Sequence, residues 1–164
     1  MSSIVFLHGL ESGPTGTKAL WLRARYGAYT PALDTTSFPE AVAGAAAAIA
    51  EHSPRVVVAS SYGGAVATRL VLDGVWSGPT VFIAPAAHRL GIDVSLPPGT
   101  RGIVIHGDLD DIVPLEDSHR LVAGAGEGIE LWTIPGGDHR LNQILKDGTL
   151  SLALEKLGVP VQLA

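Results

Sequence analysis

The chain has 164 residues, is 46% hydrophobic and 16% charged, and carries a formal net charge of −5. These values describe a globular chain long enough to bury its own core, and the lack of any basic stretch argues against nucleic acid or an anionic membrane as a partner. There is no cysteine, which excludes disulfides, zinc–thiolate sites and thiol nucleophiles and fits a reducing, cytoplasmic setting.

Residues 4–7 (IVFL) are apolar without alternation, as in a strand buried on both faces. The run stops at His8-Gly9, too short for a signal peptide. A Gly/Pro-containing loop precedes a helix through residues 21–25, and residues 28–33 suggest a short strand. Ser37 and Glu40 have the spacing of a capping box, which predicts a helix over 38–51. Its Ala-rich run, 41–50, is too short to cross a bilayer and suits packing on a sheet. Strands are expected at 55–59, 80–84, 102–106 and 129–134, and helices at 63–72 and 114–123. A last helix over 149–157 should stop at Gly158, with Pro160 beyond. The alternation predicts one domain over 1–164. Its fold class is α/β, a three-layer α/β/α sandwich with a mainly parallel sheet of about six strands.

In such a sheet, functional groups gather just past the carboxyl ends of strands. Four segments qualify: 8–13, 60–64, 107–114 and 135–139. They bring a serine, an acid and a histidine to one rim, in that chain order. Ala59-Ser60-Ser61-Tyr62-Gly63 fits small-x-Ser-x-Gly between a strand and a helix, the pattern of a nucleophile elbow. Ser61 would then sit at a helix amino end, where free N–H groups favour negative charge. The plainer reading is a serine cap before a glycine helix start. Ser60 fits the elbow poorly, because its +2 residue is Tyr62. The acid is open among Asp108, Asp110 and Asp111 at this point.

These pieces together resemble the α/β-hydrolase superfamily, in its small, lidless, esterase-like members. The matching stretches are Leu7-His8-Gly9-Leu10-Glu11-Ser12 with Lys18-Ala19, Ser61-Tyr62-Gly63-Gly64, His106-Gly107-x-x-Asp110-x-x-Val113-Pro114, and Gly136-Gly137-Asp138-His139. The chain departs from the full fold in starting at its third strand and in a short connection over 85–101, where a lid would be inserted. The resemblance implies a triad of Ser61 as nucleophile, His139 as base and Asp110 as its acid. It also implies an oxyanion hole from the backbone N–H groups of Tyr62 and Leu10. The residue types suit the chemistry: a hydroxyl needs an adjacent base, imidazole titrates near neutrality, and backbone donors stabilise an oxyanion without reorganising.

Glu11, Ser12, Lys18 and His88 are candidates for lining the substrate site, while His8 and His106 read as packing histidines. Gly13–Lys18 superficially resembles a phosphate loop, but Thr17 and Ala19 occupy positions where that motif needs Gly and Ser/Thr. No metal-ligand spacing and no cofactor are implied. The expected function is hydrolysis of a small carboxylic ester or thioester through an acyl-serine intermediate. The alternative is a non-catalytic binding protein that retains the fold.

Overall fold

Five apolar runs become strands: β1 (Ile4–Leu7), β2 (Val56–Ser60), β3 (Thr80–Ile83), β4 (Gly102–Gly107) and β5 (Ile129–Ile134). In the computed structural model, which describes residues 1–161, they form one parallel sheet in the order β1-β2-β3-β4-β5. Every residue of the first four strands is buried, which is why their sequences lack polar alternation. β5 closes one edge and exposes Glu130 and Thr133.

The pleat divides each strand between two cores. Val5, Leu7, Val57, Ala59 and Val104 face one side, where they meet α2 (Phe38–His52), α3 (Tyr62–Leu72) and α4 (Leu115–Val122). Ile4, Phe6, Val56, Val58 and Ile103 face the other, against α1 (Thr17–Tyr26), α5 (Gln143–Lys146) and α6 (Thr149–Lys156). α2 starts where the sequence predicts: Ser37 Oγ accepts from the Glu40 N–H at 3.3 Å. Its buried Ala41, Ala45 and Ala48 form a small-residue stripe that lets the helix lie close to the sheet and α3. α6 stops just before Gly158, which takes the left-handed conformation.

The expected strand over 28–33 shrinks to a single bridge, so the sheet has five strands rather than about six. Tyr29 donates to the Ile4 carbonyl at 3.0 Å and accepts from the Phe6 N–H at 2.9 Å. The next donor in that ladder would be residue 31, which is proline and has no N–H. The bridge nevertheless fixes the topology. The chain leaves β1 toward Tyr29 on one side and returns to β2 on the other. Right-handed crossovers in opposite directions put α1 and α2 on opposite faces, and a crevice opens above the carboxyl ends of β1 and β2.

The connection over 85–101 does not rise over that crevice. Ala87, Ile92 and Leu96 are buried in the α2–α3–α4 core, and the Leu96 N–H donates to the Leu121 carbonyl at 2.8 Å.

Candidate active site

Ser61 forms the turn between β2 and α3 with φ 53° and ψ −112°. A non-glycine residue there costs about 1–3 kcal/mol, so the surroundings must hold it. They do so through the backbone. The Ser61 N–H donates to the Ile83 carbonyl at 2.9 Å, and the Ser61 carbonyl accepts from Ala65 (3.1 Å) and Ala86 (3.0 Å). Two residues on, a Cβ at Gly63 would fall 2.0 Å from the Leu7 carbonyl oxygen, so only glycine lets α3 start this close to β1. Ser60, the competing serine, is the last residue of β2 and is buried.

The acid and the histidine come from the loops after β4 and β5, which are tied to each other. The Leu109 N–H donates to the Gly137 carbonyl (2.9 Å), and Asp108 Oδ1 accepts from the Gly136 N–H (2.8 Å). A Cβ at Gly107 would lie 2.2 Å from the Gly137 carbonyl oxygen, so this close approach also requires glycine. Asp110 Oδ1 accepts from the Ile112 (2.9 Å) and Val113 (2.8 Å) N–H groups. Its Oδ2 accepts from His139 Nδ1 at 2.8 Å, and His139 Nε2 lies 2.8 Å from Ser61 Oγ. Burial alone would push the Asp110 carboxyl up, but the Val113, His139 and Ile112 donors outweigh it and hold the group below the usual carboxylate value. Asp111 is exposed, and Asp138 accepts from the Leu141 N–H within its own turn.

Two further histidines brace this arrangement from beneath. His106 is fully buried; its Nδ1 accepts from Ser118 Oγ (2.6 Å), and its Nε2 donates to the Val113 carbonyl (2.9 Å) and Asp110 Oδ2 (3.1 Å). His8 Nε2 accepts from the Leu33 N–H (2.9 Å), which leaves the proton on Nδ1 to donate to the Gly9 carbonyl (2.7 Å). The Gly9 carbonyl and the Leu10 N–H share one trans peptide and point opposite ways. His8 therefore fixes the direction of the Leu10 N–H beside Ser61, where a Cβ on Gly9 would sit 3.5 Å from Ser61 Cβ. The Tyr62 N–H lies in the first turn of α3 and has no acceptor within the helix.

A cavity of about 450 Å³ opens beside Ser61, within the range of small-molecule sites. Phe6, Leu10, Ala19 and Ile112 give it apolar walls, and Glu11, Ser12 and Lys18 line it as the sequence suggests. His88 does not line it: that ring lies on the folded-down connection and pairs with Asp93 at 2.9 Å. Arg140 and Asn142 do line it, and apart from their nearness to His139 nothing in the sequence marks them. No group of three or more potential metal-binding side chains occurs among the described residues, and no helix there is long and apolar enough to cross a membrane.

No family model matches the sequence, and none of the curated proteins searched matches it. Solved structures do match. A candidate hydrolase from Agrobacterium vitis S4 superposes with a TM-score of 0.75 at 19% identity, covering 94% of this chain and 87% of its own. A serine hydrolase homologue from Coxiella burnetii gives 0.73 at 16%, covering 94% and 84%. A serine hydrolase without a lid from Xanthomonas campestris gives 0.70 at 18%, covering 95% and 83%. At such identities the likeness is one of fold: this chain has the α/β-hydrolase fold.

Proposed function

We propose that the protein is a serine hydrolase that cleaves carboxylic esters or thioesters through an acyl-serine intermediate. The observation that carries this reading is the unbroken line from Ser61 Oγ through His139 Nε2 and Nδ1 to Asp110 Oδ2, with both contacts at 2.8 Å. In the proposed reaction His139 Nε2 takes the Ser61 proton as the oxygen attacks the acyl carbon. Asp110 holds the ring in the tautomer that leaves Nε2 free and stabilises the imidazolium that forms. The tetrahedral oxyanion is received by the N–H groups of Tyr62 and Leu10. His139 then gives the proton to the departing alcohol or thiol, and water repeats the sequence to release the acid.

The site is open, with no covering segment from 85–101, so little apolar surface can close around a long chain. At about 0.8 kcal/mol per buried methylene, each uncovered carbon forgoes roughly fourfold in kcat/KM. Acyl groups of about two to six carbons are therefore the proposed range. The experiment is a panel of p-nitrophenyl esters and acyl thioesters of graded length. The account expects measurable turnover with a plateau at short chains. A steep rise up to long chains would mean that another element, such as a second copy of the chain, encloses the site.

A further inference from the structure

Lys18 is one of the cavity-lining polar residues that the proposed reaction leaves without a task. It lies in the first turn of α1 and is half-buried. Its ammonium donates to the Arg140 carbonyl and to Asn142 Oδ1 (3.3 Å). An ammonium has three protons, so one remains for the cavity that Lys18 lines. Among the described residues, neither Lys18 nor Arg140 has a carboxylate within 4.0 Å. Burial disfavours a charge there; Asp138 works the other way, and Arg140 adds a smaller like-charge effect. The amino end of α1 is also the wrong end of the helix dipole for a cation. Burial outweighs Asp138 and draws the lysine down to about 8, still charged at neutral pH.

A partly desolvated cation with no carboxylate in contact with it among the described residues, facing a cavity beside a nucleophile, is what an anionic substrate group would complete. We propose that Lys18, with Arg140 beside it, recognises a carboxylate on the substrate, so that the protein hydrolyses esters bearing a carboxylate a few carbons from the scissile bond. This rests on the serine hydrolase reading and narrows it. The apolar residues that share the cavity with Ser61 and Lys18 suit the intervening methylenes. With a chain charge of −5, such an anion needs a local cation to hold it. Glu11 lines the same cavity with the opposite sign, but it is exposed, where water and salt screen it more strongly than they screen Lys18.

The test uses two matched pairs of esters. Mono-p-nitrophenyl adipate against p-nitrophenyl hexanoate places the carboxylate on the acyl side. 3-Carboxyphenyl hexanoate against phenyl hexanoate places it on the leaving group. In at least one pair, Lys18→Met should lower kcat/KM on the anionic member about tenfold or more beyond its effect on the neutral one, with partial recovery in Lys18→Arg. Lys18 also ties α1 to the His139 loop, so a merely structural role would lower both members by one factor; that result overturns the proposal. A second readout needs no variant. The titratable groups facing Lys18 are Asp138, His139 and Arg140 from the loop after β5 and Glu11 from the loop after β1, and His139 acts on both members of a pair alike. The wild-type ratio of anionic to neutral kcat/KM should therefore fall as pH rises through about 8. A ratio that stays flat between about pH 7 and 9 overturns the proposal. Turnover of the neutral esters with no Lys18-dependent preference leaves the serine hydrolase standing and removes the anionic specificity. Turnover of neither member of either pair removes both.

Discussion

Ser61 stands between two halves of a rim that are built differently. On the acid side, both Asp110 oxygens are saturated: Oδ1 by two backbone N–H groups, Oδ2 by two imidazoles, one of them anchored by Ser118. On the cavity side, Glu11, Ser12 and Arg140 are exposed, and Lys18 rests on two oxygens with no carboxylate partner among the described residues. The difference teaches a division of labour. Groups proposed for bond cleavage are over-determined by packing and backbone, so their geometry survives without a ligand. Groups proposed to choose the substrate are left with unused bonding capacity, which a ligand can fill.

The sharpest way to break this comparison is at the serine. Ser61→Ala should cost on the order of 10⁶ in kcat, while Ser60→Ala should leave turnover within a few-fold. If steady-state kinetics find the reverse, the nucleophile has been placed one residue too late. Next in size is Asp110→Asn. The N–H groups of Ile112 and Val113 require an oxygen at the Oδ1 position, so the new amide must turn its NH₂ toward His139 Nδ1. The imidazole would then carry its proton on Nε2 and could not accept one from Ser61. The expected loss is about 10⁴ in kcat with the fold intact, and Asp108→Asn and Asp111→Asn should cost far less. The same carboxyl links to acid stability. Its folded-state pKa lies below its unfolded value, so its contribution is complete above the ordinary carboxylate range and is lost as pH falls through the lower folded value. Asp110→Asn should remove that part of the acid dependence in urea titrations at a series of pH values.

Two smaller effects probe the packing directly. Gly63→Ala drives a methyl into the Leu7 carbonyl and should lower the unfolding free energy by about 3 kcal/mol, measured by urea denaturation. An unchanged midpoint would show that the start of α3 can move away from β1. Ser61→Gly relieves the positive φ that Ser61→Ala retains, so the glycine variant should be the more stable inactive form, by about 1 kcal/mol. Equal midpoints would mean that the turn is not strained.

Legibility in the sequence follows the same division. Ser61, Asp110 and His139 each lie just past a strand in a local pattern, and the structure brings all three within hydrogen-bonding distance. The buried strands are equally plain, because a parallel sheet covered on both faces demands uninterrupted apolar runs. What the sequence hides is contact between distant segments. Lys18 meets Arg140 and Asn142 across more than 120 positions of chain, and no local spacing announces it. The short strand suggested at 28–33 is cut to one bridge because Pro31 has no N–H to continue the ladder. The four-residue α5 is too short to show a helical period. His88 reads as a bordering residue because it lies in the short 85–101 connection; Ile92 and Leu96 instead pull that connection down onto the α4 side of the sheet.

The most direct test of the central claim is covalent labelling with a fluorophosphonate, mapped by mass spectrometry. An active-site serine reacts only if a neighbouring base has activated it. The account predicts one adduct, on Ser61, that is lost in His139→Ala and retained in Ser60→Ala. No adduct on the folded wild-type protein would contradict it, and would make the chain a binding protein built on a hydrolase fold.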